Sequence, residues 1–156
     1  MTPAIKSLEK AKAIFKIHEY HHDPVAESYG LEAAEKLGID SHRVFKTLVV
    51  MLDAKEFAVG IIPVSAMLSM KQIAKAACAK KAAMADKQAV ERITGYVLGG
   101  VSPFGQKKML KTFIDTTANN HSSIYVSAGR RGLEVEVAPD VFNKVLRATF
   151  FDLTQE

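Results

Sequence analysis

The sequence predicts an α+β domain with a twisted, barrel-like mixed sheet, largely antiparallel and surrounded by helices, on three observations. Phe45–Leu52 and residues 56–64 are two nearly continuous apolar runs separated only by Asp53-Ala54-Lys55, the pattern of a tight, buried hairpin. Leu133-Glu134-Val135-Glu136-Val137 alternates cleanly, as a strand with one wet face does. Helical segments with cap signals lie around these strands without regular βαβ alternation, which argues against a doubly wound parallel sheet.

The elements follow in order. Thr2 before Pro3 predicts a helix start, because threonine caps and proline suits the first turn. Ile5, Leu8 and Phe15 recur at roughly helical spacing and carry that helix over about 13 residues. Residues 17–20 alternate and predict a short strand, ended by His21-His22-Asp23-Pro24. A helix over residues 31–37 stops at Gly38. After the hairpin, Ser69 caps a helix carrying Met70, Ile73, Ala77 and Cys78, and Asp86 caps another with Val90 and Ile93 inward and Gly95 at its end. Residues 112–115 and 123–127 read as strands flanking a turn at Asn119-Asn120, with a second turn at Gly129-Arg130-Arg131-Gly132. Pro139-Asp140 opens a last helix with Val141, Val145 and Leu146 on one face, and residues 149–153 return as an edge strand. No repeat or linker divides residues 1–156, so one domain is expected.

A chain of 156 residues can bury a proper core without disulfides or structural metals. Its 48% hydrophobic and 24% charged content is that of a soluble globular protein, and no apolar run approaches the roughly 20 residues of a membrane helix. The N-terminal segment lacks the hydrophobic stretch of a signal peptide. Cys78 is the single cysteine, which excludes an intramolecular disulfide and fits a reducing cytoplasm. A net charge of +4, with basic clusters at Lys80-Lys81, Lys107-Lys108 and Arg130-Arg131, suits a polyanionic partner without requiring one.

Residues 95–111 say most about function. Four glycines, Pro103 and Ser102 interrupt an apolar stretch, and three lysines follow. Such a loop brings backbone N–H groups close to a ligand with cations nearby. Its glycine spacing, after a helix rather than a strand, is not that of a dinucleotide-binding loop. Metal-binding, Walker and nucleophile-elbow motifs are all missing. Adjacent His21 and His22 point to opposite sides of an extended segment and suit a structural or surface role. Cys78, in an alanine-rich helix, reads as a small buried apolar residue. Lys46, a charge near the start of an apolar strand, either extends its amine to water or presents it to a phosphate or an ester carbonyl. Ser127 either serves the following turn or faces the same cleft. On these residues alone the expectation is a small anion- or nucleotide-binding cleft.

The ordered set Tyr20-x-His22-Asp23-Pro24, Phe45-Lys46-Thr47-Leu48, Met84-Ala85-Asp86, Thr94-Gly95-Tyr96 through Lys108, and Ile124-Tyr125-Val126-Ser127 through Leu133 resembles the YbaK family over almost the whole chain. Members are Cys-tRNA(Pro) deacylases, freestanding relatives of the editing domain of bacterial prolyl-tRNA synthetases. The resemblance implies a cytoplasmic, metal-independent hydrolase without a cofactor, acting in translation fidelity on the ester of Cys-tRNA(Pro). It implies the tRNA(Pro) acceptor end and prolyl-tRNA synthetase as partners, and neither a membrane nor DNA. In these relatives the substrate's own thiol is thought to attack its ester.

By the same resemblance Lys46 is the catalytic residue. Tyr20, Tyr29, Gly99, Gly100, Val101, Ser102, Pro103, Ser127, Gly129 and Glu134 are the substrate-binding ones. Tyr29 stands where phenylalanine is usual, Ala128 and Arg130 depart from the family's Ser-Gly-Gly-Lys-Arg-Gly, and Glu134 replaces a shorter residue. These departures bear on the pocket and leave two alternatives: an editor of Ala-tRNA(Pro) or another small aminoacyl-tRNA using a positioned water, and a non-catalytic tRNA- or synthetase-binding module.

Overall fold

A computed structural model describes residues 1–26 and 28–156. The two central apolar runs pair as the sequence predicts. β2 (Phe45–Leu52) and β3 (Glu56–Pro63) form an antiparallel hairpin, and Asp53 and Ala54 both take positive φ in the turn, at 52° and 54°. They are the middle of a five-stranded sheet in the order β4 (Ala82–Met84), β2, β3, β5 (Lys111–Asp115), β8 (Thr149–Phe151). β5 and β8 join it in parallel. A three-stranded antiparallel sheet has the order β1 (Lys16–Glu19), β7 (Leu133–Val137), β6 (Ile124–Arg130).

The α+β class and the mixed, largely antiparallel pairing are as expected. The strands divide between two sheets, however, and do not close. Among the described residues a single parallel bridge, from Val44 to Tyr125, joins the two sheets. Phe45, Val49, Ile61 and Ile114 of one sheet and Ile124, Val126, Val135 and Val137 of the other share a core with Leu8, Phe104 and Phe142. A second core, with Val50, Ile62, Ile73, Phe113 and Leu153, includes residues of the five-stranded sheet and the helix beside it.

Helix ends follow local chemistry. Side-chain oxygens of Thr2, Ser28, Ser69 and Asp86 accept the first free N–H groups of α1 (Pro3–Lys10), α2 (Tyr29–Leu37), α3 (Met70–Ala76) and α4 (Lys87–Thr94). Gly38 and Gly95 end α2 and α4 in the left-handed conformation. The last helix, α5 (Asp140–Leu146), follows Pro139. Thr2 also donates its hydroxyl proton to the Ala128 carbonyl of β6, so the cap fastens α1 to the smaller sheet. Thr2→Ala is expected to destabilise the fold by about 1–2 kcal/mol. A thermal or urea midpoint equal to that of the unsubstituted chain would remove this cap from the account.

Several expectations need correction. α1 ends at Lys10, and Lys12, at φ 57°, turns the chain away; Phe15 reaches the core from the segment after it, so its helical spacing is coincidental. Cys78 lies beyond α3 with φ 57° and is exposed, not a buried helix residue. β5 and β6, neighbours in sequence, belong to different sheets, and a 3₁₀ turn at Thr116–Asn120 carries the chain between them. β4 is a three-residue edge too short to leave a periodic signal. Glu134 does not lie on a wet face, because the seam between the sheets covers it; only 6% of it is exposed.

Candidate active site

A cleft of about 330 Å³ opens along that seam. Lys46, Thr47 and Leu48 enter it from the start of β2, Ser127 from β6, Glu134 from β7, and Tyr29 from the first turn of α2. Tyr20, Gly99, Val101 and Arg131 complete the walls from loops. The structure therefore brings together Lys46, Tyr20, Tyr29, Gly99, Val101, Ser127 and Glu134 of the residues singled out in the sequence.

Gly100, Ser102, Pro103 and Gly129 do not line the cleft; they brace it from behind. A Cβ on Gly100 would sit 2.8 Å from the Arg130 Cα, so this glycine permits close passage of two backbones. Ser102 is fully buried, and its Oγ accepts from the Phe104 N–H at 3.2 Å. The Tyr96 hydroxyl donates to the Phe104 carbonyl at 2.6 Å, and Gln106 Nε2 donates to the Ser102 carbonyl at 2.9 Å. Burial pushes the Tyr96 phenol up to about 12, so it stays a donor at all ordinary pH. Pro103 borders a separate small hollow with Ser7 and Leu146. The Gly129 N–H donates to Ser127 Oγ at 3.1 Å, and Gly129 itself, at φ 111°, lets the strand bulge past Tyr96 and Thr2.

The electrostatics of the cleft are unusual. Lys46 is half-buried, no carboxylate pairs with it among the described residues, and burial pulls its pKa down. Burial pushes the Glu134 carboxyl up to about 8, so at neutral pH this group is mostly an uncharged hydrogen-bond donor. The Thr47 hydroxyl is buried without a hydrogen-bond partner among the described residues. Among the described residues no hydroxyl of the cleft is hydrogen-bonded to a basic side chain: Ser127 Oγ accepts from the Gly129 N–H, Thr47 Oγ1 has no partner, Cys78 lies outside the cleft, and both ring nitrogens of His22 are engaged elsewhere. Among the described residues no three His, Cys, Asp or Glu side chains come together to hold a metal, and no helix is long and apolar enough to cross a membrane.

Sequence reasoning missed Arg131 and the groups behind it. Its guanidinium carbon lies 3.6 Å from the centre of the Tyr29 ring, and its Nη1 donates to His22 Nε2 at 2.9 Å. His22 Nδ1 is 2.7 Å from Glu32 Oε1, and the Asp23 N–H donates to Glu32 Oε2 at 2.8 Å. Burial opposes ionisation of Glu32, yet the hydrogen bonds from His22 and Asp23 hold its pKa below the usual carboxylate value. The sequence signals were the Arg130-Arg131 cluster and the family segments that contain His22, Asp23 and Arg131, and neither said that Arg131 faces the cleft.

A model of the aminoacyl-tRNA editing domain matches residues 22–145. The chain belongs to the aminoacyl-tRNA editing domain family. A protein of Enterococcus faecalis, provisionally named a Cys-tRNA(Pro)/Cys-tRNA(Cys) deacylase, EbsC, is 37% identical over 156 residues, covering 98% of this chain and 93% of that protein. The fold of this editing domain recurs in solved structures. A provisionally described trans-editing enzyme for prolyl-tRNA synthetase superposes with a TM-score of 0.84 at 19% identity, covering 100% of this chain and 99% of that one. A hypothetical protein gives 0.88 at 20% identity over 99% of this chain and 100% of its own. In this editing domain, the seam between the two sheets is where the polar side chains converge.

Proposed function

We propose that this chain is a trans-editing deacylase that cleaves the aminoacyl ester of mischarged Cys-tRNA(Pro). The observation that carries the reading is a half-buried lysine, unpaired among the described residues, in a cleft where none of the described hydroxyls is hydrogen-bonded to a base. A cleft of that kind suits a substrate that brings its own nucleophile. The cysteinyl thiolate attacks its ester carbonyl: a C–S bond forms, the bond to the ribose oxygen breaks, and that oxygen leaves with a proton. The products are a cyclic thiolactone and free tRNA. An attacking group on the same molecule has a high effective concentration, so the protein need only orient it and stabilise the developing charge.

In this reading Lys46 faces the ester and its leaving oxygen, Gly99 and Val101 form the wall against which the ester lies, and Tyr20, Tyr29 and Ser127 shape the space for the aminoacyl group. Gly100, Ser102, Pro103 and Gly129 hold that wall in place. The need for such an editor follows from pocket energetics, since discrimination by one methylene is worth only about 1–3 kcal/mol. The tRNA(Pro) acceptor end is the partner that the reading requires. A domain of this size reaches little of a tRNA beyond that end, so prolyl-tRNA synthetase supplies the remaining selectivity.

One observation favours a second reading. A buried carboxyl that titrates near pH 8, as Glu134 does, is well placed to move a proton for an attacking water. Water attack would extend the activity to alanine, which has no thiol. Deacylation rates on Cys-, Ala- and Ser-tRNA(Pro), with and without prolyl-tRNA synthetase, separate the two. Cysteine is expected to be cleaved at least tenfold faster than alanine. Equal rates would sink thiol attack, no acceleration of any ester would leave only a tRNA-binding module, and unchanged selectivity without synthetase would remove that partner.

A further inference from the structure

Two other parts of the chain, residues 22–32 and Gly99, meet at Arg131. The ring of Tyr29 lies under its guanidinium at 3.6 Å, and His22 Nε2 accepts its Nη1 proton at 2.9 Å. Gly99 closes on it so tightly that a Cβ there would come within 2.7 Å of Arg131 Nε and 2.8 Å of the Tyr29 ring. Arginine can only donate, so His22 Nε2 must be the acceptor, and the ring proton sits on Nδ1. That proton points to Glu32 Oε1 at 2.7 Å. Glu32, 6% exposed, is held in turn by the Asp23 N–H at 2.8 Å and faces Lys36 Nζ at 3.4 Å. The Glu32 charge thus has its own partners and reaches Arg131 only through the histidine.

Such an arrangement fixes a guanidinium without neutralising it. Arg131 lines the cleft and makes no ion pair with a carboxylate among the described residues. The adjacent Arg130, by contrast, is exposed and lies 3.8 Å from Glu19. A guanidinium held over an aromatic ring and hydrogen-bonded on one side presents its remaining N–H groups in a fork, the geometry that matches phosphate oxygens.

We propose that Arg131 is the phosphate-binding residue of this cleft, taking the phosphate of a terminal nucleotide, and that His22 and Glu32 are positioning residues that aim it. The proposal rests on the reading of the cleft as a site for an aminoacylated 3′ end. It leaves Lys46 for the ester and separates two cationic tasks between two residues.

The test uses binding, so it does not depend on deacylation. Dissociation constants for adenosine 5′-monophosphate and adenosine are measured by NMR titration on the full chain, and their ratio gives the contribution of the phosphate. The unsubstituted protein is expected to prefer the monophosphate by about tenfold, an arginine–phosphate increment of ordinary size. Arg131→Ala should abolish the preference and Arg131→Lys should retain only part of it, with circular dichroism unchanged in both. His22→Phe keeps the ring shape but accepts no proton, and should lose most of the preference. His22→Gln, whose amide can accept from Arg131 and donate to Glu32, should restore it. Lys46→Ala should leave it intact.

An unchanged ratio in Arg131→Ala, or no preference in the parent chain, overturns the assignment. A ratio lost in Lys46→Ala and kept in Arg131→Ala moves the phosphate to the lysine. An unchanged ratio in His22→Phe removes the positioning role. Intact phosphate preference with no hydrolysis of any aminoacyl-tRNA would defeat the deacylase reading while leaving Arg131 in place.

Discussion

Lys46→Ala is expected to lower the rate of Cys-tRNA(Pro) deacylation by at least about a hundredfold while the circular dichroism spectrum and denaturation midpoint stay close to those of the parent chain. The size follows from the task. Removing one well-aimed group that stabilises developing negative charge costs about 3 kcal/mol of barrier. The unchanged fold follows from the surroundings, since no carboxylate among the described residues depends on this lysine for neutralisation and its pKa is lowered by burial alone. Lys46→Arg should recover only part of the rate, because the guanidinium keeps the charge and moves its centre. Turnover in Lys46→Ala equal to that of the parent would remove the residue from the chemistry.

Glu134→Gln carries the second large effect, in stability and with a definite pH dependence. The Glu134 carboxyl titrates near 8 in the folded chain against an ordinary value of 4.5, and burial is the cause. Between those values the folded state holds a proton that the unfolded chain has released, so stability falls as pH rises. The contribution is fully present below about pH 4.5 and is lost as pH passes through 8, amounting to about 5 kcal/mol in the limit of full titration. Glutamine stays neutral and should flatten that slope. Urea unfolding at pH 5 and pH 9 is the measurement: the parent should lose markedly more stability than Glu134→Gln between the two. Parallel losses would mean that Glu134 is not neutral in the fold. Deacylation of Cys-tRNA(Pro) at pH 7 should survive this substitution if the substrate thiol attacks, and should collapse if Glu134 activates water.

Caps and stops were legible because they are local: Thr2, Ser69, Asp86, Gly38 and Gly95 act on groups within a few residues of themselves. The β2–β3 hairpin was legible for the same reason. Membership of a strand in a sheet is not local, and so neighbouring β5 and β6 gave no sign that they would part. The site divides along the same line. A family motif marks Lys46, and the resemblance extends to Tyr29 and Glu134, but spacing along the chain does not say which marked residues face one another. Gly100, Ser102 and Pro103 carry a motif and lie behind the wall, whereas Arg131 lines the cleft itself and is held there by His22, 109 positions away. Glu134 was misplaced because alternation reports two faces of a strand and not what covers each; here Glu134 lies buried in the cleft between the sheets.

The bridge between Val44 and Tyr125 has a bearing on how such proteins diverge. Lys46, Thr47 and Leu48 ride on one sheet and Ser127 and Glu134 on the other, so the span between these groups depends on how the two sheets abut. Arg43 braces that junction, donating to the Ser123 carbonyl at 3.2 Å and lying 5.2 Å from the centre of the Tyr125 ring. A lineage can therefore retune which side chain it admits by small changes at hinge-like positions, with every reactive group left in place. Within such a lineage, identical cleft residues need not mean identical substrates.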